Sequence, residues 1–67
     1  NVETVKILLE AGADVNAQED DGDSPLLIAS RAGKTDIVRV LLDAGADIHT
    51  KNKTGYTPLM AAARHGS

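Results

Sequence analysis

The stretch GDSPLLIASRAG, residues 22–33, decides how this chain folds, because it returns 33 positions later as GYTPLMAAARHG, residues 55–66. Each copy opens a short helix in the same way. Ser24-Pro25 and Thr57-Pro58 place a capping hydroxyl before a proline at the first helical position, where the missing N–H has no partner to lose. Leu26 and Ala29, then Leu59 and Ala62, supply a small apolar face one turn apart, and Gly33 and Gly66 close the helices.

The repetition extends upstream. LLEAGADVNA, residues 8–17, falls on LLDAGADIHT, residues 41–50. Val5, Leu8 and Leu9, and their counterparts Val38, Leu41 and Leu42, sit at i, i+3 and i+4, which predicts amphipathic helices over 2–10 and 35–43. Glu3, Lys6 and Glu10, or Asp36, Arg39 and Asp43, fall on the solvent side. Gly12 and Gly45 stand where a left-handed residue ends a helix. Between the helices, residues 14–24 and 47–57 read as hairpins that turn back at Gly22 and Gly55. Helices of eight or nine residues do not hold by propensity, so packing between units must hold them. A fixed period of this kind describes stacked copies of one supersecondary unit rather than a globule around a single core.

With these segments in order and at one spacing, the whole chain resembles the ankyrin repeat. The resemblance implies an all-α repeat solenoid with β-hairpin fingers: an L-shaped stack of paired antiparallel helices, a finger projecting from each junction, and protein partners bound along fingers and inner helices. It divides the chain into the end of a first repeat (1–16), a complete repeat (17–49) and the start of the next (50–67). Two positions depart from the family pattern. Leu27 and Met60 stand where a histidine usually ties neighbouring repeats by hydrogen bonds, and Ser24 stands for the usual threonine.

At 67 residues and 7.0 kDa the chain is one domain at most. A domain of about 60 residues buries only about 60% of its unfolded surface, and repeat arrays generally need about three units with polar caps. Neither end reads as a cap, so a piece of a longer array is expected; a self-contained chain that self-associates through its uncapped ends is the other reading. Without cysteine there is neither a disulfide nor a thiolate metal site. No apolar run approaches the roughly 20 residues of a membrane span, so membrane insertion is not expected. The net charge of −3 argues against binding nucleic-acid phosphates. That charge is unevenly distributed: residues 1–33 carry Lys6 and Arg31 against seven acids, whereas residues 34–67 carry five bases against Asp36, Asp43 and Asp47. The compartment stays open, with an intracellular setting (cytoplasmic or nuclear) as the expectation.

The residues assemble no catalytic constellation, and neither an enzyme nor a cofactor is expected. His49 and His65 have no cysteine or recognisable nucleophile beside them. His49 occupies the hairpin position that Asn16 holds one repeat earlier. The acidic run Glu19-Asp20-Asp21-Gly22-Asp23 fails as a calcium loop on spacing, with Ala17 and Ile28 at ligand positions. The glycines follow the period and form no phosphate loop.

What remains is recognition. By resemblance, the non-framework residues Asp20, Asp21, Asp23 and Arg31, then Lys53, Thr54, Tyr56, Arg64 and His65, face the groove and finger tips and are the expected partner contacts. Tyr56 is the one aromatic residue, and aromatic and arginine side chains are the commonest binding hot spots. Packing on its own hairpin is the alternative for Tyr56, and simple solvation that for Arg31 and Arg64. The leading function is a non-enzymatic module that binds another protein; the alternative is a regulatory or targeting segment of a larger enzyme or channel. The resemblance also implies a modification. In ankyrin arrays the residue after Gly-Ala-Asp-Val/Ile can be hydroxylated by the asparaginyl hydroxylase that acts on the hypoxia-inducible transcription factor, with a leucine eight residues upstream; the alternative is that these residues are simply what the repeat framework prefers. Leu8, Asp14 and Val15 stand in that relation to Asn16, and Leu41, Asp47 and Ile48 to His49.

Overall fold

Three consecutive helices end in the same pair of backbone hydrogen bonds. In the computed structural model, which describes residues 2–65 and leaves the His65 side chain outside the description, α1 spans Val2–Glu10, α2 Pro25–Arg31, α3 Thr35–Asp43 and α4 Pro58–His65. After α1, Gly12 N–H donates to Leu9 O and Ala13 N–H to Leu8 O. After α2, Gly33 N–H donates to Ser30 O and Lys34 N–H to Ala29 O. After α3, Gly45 N–H donates to Leu42 O and Ala46 N–H to Leu41 O. This pair of bonds is the Schellman motif, and it requires the left-handed backbone seen at Gly12, Gly33 and Gly45.

The starts of the inner helices are equally local. Ser24 Oγ accepts from Leu27 N–H at 3.2 Å, and Thr57 Oγ1 accepts from Met60 N–H at 3.2 Å. Either cap contributes about 1 kcal/mol.

Packing then sets the layers. α2 lies against α4 and against α3, and α3 against α1, in a stack measuring 30 × 25 × 16 Å. Leu26, Ala29 and Leu41 form the buried centre, with Val5, Leu9, Val15, Ile37, Val38 and Ala46 packed around it. Burying a leucine of this kind contributes about 1.5–3 kcal/mol. Leu8 departs from the expected apolar face. It is 56% exposed, whereas its counterpart Leu41 is 3% exposed. Leu41 lies between two other helices, whereas α1 packs on α3 alone. Leu27, where the family pattern has a hydrogen-bonding histidine, is fully buried, at 1% exposure. The tie between units is made instead by neighbouring groups, including the Ser24 and Thr50 hydroxyls at 3.3 Å.

The expected β-hairpin fingers take a simpler form: the described residues contain no strand. Each loop folds back through one tight turn. Gly22 N–H donates to Glu19 O and Glu19 N–H to Asp23 O; Gly55 N–H donates to Asn52 O and Asn52 N–H to Tyr56 O. One bond beyond the turn is too short a ladder for a strand. Side chains hold the remainder: Asp14 and Asp47 accept the N–H two residues on, from Asn16 and His49.

Candidate functional site

The two loops lie side by side because residues one repeat apart bond to each other. Asn16 Oδ1 accepts from Asp47 N–H at 2.8 Å, Lys53 N–H donates to Asp21 O at 3.0 Å, and Gln18 Nε2 donates to both Gly22 O and Lys51 O. Gly22 is at the point of closest approach: a Cβ there would meet Asn52 Cα at 2.9 Å.

Between the loops and the inner helices opens a cleft of about 490 Å³, lined by Arg31, Asn52, Thr54, Tyr56, Ala61 and Arg64. Arg31 comes from the end of α2, Arg64 from the equivalent turn of α4, and Thr54 and Tyr56 from the second loop. Four of the expected contact residues therefore line one cavity. Tyr56 is half-buried, with its N–H held by Asn52 Oδ1 at 2.9 Å and its hydroxyl 3.5 Å from Met60 O.

The cleft is organised by Asn52 and Asp23. Asn52 Oδ1 accepts from Thr54 N–H, the Thr54 hydroxyl and Tyr56 N–H, while its Nδ2 donates to Asp23 Oδ1 at 2.8 Å. Asp23 Oδ2 accepts from Arg31 Nη2, completing an ion pair. The Asn52 hydrogen bond first, and the Arg31 bond second, hold the Asp23 carboxyl below the ordinary carboxylate range, against the opposing push of burial. The same pairing raises Arg31 further above its already high value.

Asp23 thereby leaves the contact surface proposed for it. It is 3% exposed, with both carboxylate oxygens engaged, and acts as a framework residue. The physical reason is that a desolvated carboxylate needs donors, and Arg31 and Asn52 supply them. Arg31 keeps half of its side-chain surface exposed and both pairs with Asp23 and lines the cleft. Asp20 and Lys53 are exposed on adjacent loops. Asp21 is exposed too, although its Oδ1 accepts from Asp23 N–H and so shapes the turn. The placement of His65 as a contact lies outside the described residues. Asn52 was missed by the sequence reading; its signal was an Asx residue three positions before the turn glycine Gly55.

The positions singled out for hydroxylation are both exposed. Asn16 is pinned through Oδ1 to Asp47, and His49 borders an apolar cavity of about 480 Å³ with Leu42, Ile48 and Leu59. Among the described residues no group of three His, Asp or Glu could hold a metal ion, and no helix is long and apolar enough to cross a membrane.

A family model described as ankyrin repeats (3 copies) matches residues 1–67. No curated protein matches the chain. Domains of the matched family are typically non-catalytic and generally serve as protein–protein interaction modules.

Proposed function

The chain belongs to the ankyrin-repeat family, and we propose that it is a non-enzymatic module that binds another protein in the cleft between its inner helices and loop tips. One observation carries this reading: Arg31, Thr54, Tyr56 and Arg64, four residues the repeat framework does not require, line the same cavity. The cleft presents an aromatic residue together with two arginines, the composition typical of interface hot spots.

The binding energy is expected to concentrate at Tyr56, with the exposed loop charges at the rim governing association rate. A randomised peptide library selected on the wild-type chain, then counter-screened on Tyr56→Ala, tests the reading. Selected peptides should lose about 1–3 kcal/mol of affinity on Tyr56→Ala, with circular dichroism unchanged. Peptides that bind both proteins equally, or a selection that enriches nothing, would remove the cleft from consideration.

A further inference from the structure

Asp23 and Asn52, the acid and the amide at the cleft, already have partners, and two arginine side chains line the cavity. Both carboxylate oxygens of Asp23 accept, from Arg31 and Asn52, and Asn52 Oδ1 accepts from three groups. What lines the cavity toward solvent is the half-exposed Arg31 guanidinium, the exposed Arg64 and the Tyr56 hydroxyl, whose bond to Met60 O is at the outer limit of length. Lys51 and Lys53 are exposed on the loop of the same repeat. Two arginines on one cavity favour a ligand that brings planar, charged acceptors.

The neighbouring loop limits how many. Glu19, Asp20 and Asp21 sit together on the first turn, and Asp21 also acts electrostatically on Arg31. A long polyanion crossing both loops meets repulsion there, so a short acidic run within an otherwise neutral chain fits better.

Resting on the cleft reading of the preceding subsection, we propose that the occupant is an extended peptide segment carrying a short run of aspartate or glutamate, with one carboxylate received between Arg31 and Arg64 beside the Tyr56 ring.

The test uses three fluorescein-labelled dodecapeptides of one Gly/Ser/Leu background, with three central glutamates, glutamines or phosphoserines, measured by fluorescence anisotropy on the wild-type chain. The glutamate peptide is expected to bind about tenfold more tightly than the glutamine peptide at low salt, and the advantage to shrink at about 0.5 M salt. Arg64→Gln removes most of that advantage, whereas Arg39→Gln, on the exposed face of α3, removes the same charge elsewhere and leaves it. Equal binding of glutamate and glutamine peptides overturns the proposal on the unaltered protein, so it stays decidable if Arg64→Gln does not fold. Binding of the phosphoserine peptide alone, or equal losses in the two arginine variants, overturns it as well. Library-selected peptides that depend on Tyr56 but show no acidic preference sink this inference and leave the cleft reading standing; with no Tyr56-dependent peptide at all, both fall.

Discussion

Asp23 and Asn52, 29 residues apart in the chain, meet across the joint between two repeats, with Asn52 Nδ2 donating to Asp23 Oδ1 at 2.8 Å. The contact couples three things at once: the burial of Asp23, the placement of Arg31 on its other oxygen, and the turn that presents Thr54 and Tyr56. The stability of the fold and the shape of the cleft therefore share one network.

Acid is expected to weaken the fold through Asp23. Its folded-state pKa lies below the ordinary value, so its stabilisation is complete above about pH 4 and is lost as pH falls through the lower folded-state value. Thermal melts between neutral and strongly acidic pH should show Asp23→Asn less stable at pH 7 and less sensitive to acid than the wild type. Parallel acid limbs in the two proteins would assign the sensitivity to other carboxylates.

Removing Asn52 is expected to cost about 1–3 kcal/mol, because a buried acceptor loses its donor and the turn loses its centre. Asn52→Asp keeps the turn acceptor but sets a carboxylate against Asp23, so it should be most damaging at neutral pH and recover as the pair protonates. Urea unfolding of both variants at two pH values checks this; an Asn52→Asp chain as stable as the wild type at neutral pH would contradict it.

Two turn glycines with nearly the same backbone angle are expected to behave differently. Gly55, at φ +81°, has nothing within 4 Å of a built Cβ, so Gly55→Ala costs only the left-handed strain of about 1–2 kcal/mol. Gly22, at φ +86°, adds a collision with the Asn52 backbone at 2.9 Å. Gly22→Ala should therefore lower the melting temperature more, and should also broaden the backbone amide signals of Asn52 and Lys53. Equal melting temperatures would mean that the loops separate without cost.

Leu27 and Leu59 separate burial from hydropathy. Leu27→Ala is expected to lose about 2–5 kcal/mol through cavity formation, while Leu59→Ala, at a position 77% exposed, stays within about 0.5 kcal/mol. Denaturant midpoints decide it, and comparable losses at both sites would show that Leu59 is covered in solution.

At the rim, Asp20→Lys is expected to speed association with the glutamate-bearing peptide and to leave the dissociation rate nearly unchanged. Asp20 is the cleaner site than Asp21, whose carboxylate holds the Asp23 N–H. Stopped-flow kinetics at two salt concentrations measure both rates. A change confined to dissociation would place Asp20 inside the contact rather than beside it.

Helix positions, caps and turns were legible in the residue order because each depends on a few neighbours. Ser24 reaches Leu27 three residues on, and Gly33 lets Ser30 and Ala29 accept their last bonds. The 33-residue period carried the stack for the same reason, since it repeats one local unit. Tertiary structure alone decided which polar residues belong to the framework. Asp23 and Tyr56 occupy equivalent repeat positions, yet Asp23 is buried between two donors while Tyr56 lines the cleft. Leu27 and Met60 are equivalent too, at 1% and 50% exposure. Period and propensity describe what a residue does to its own turn of chain; burial and pairing depend on the next repeat, and that neighbour arrives only when the chain folds.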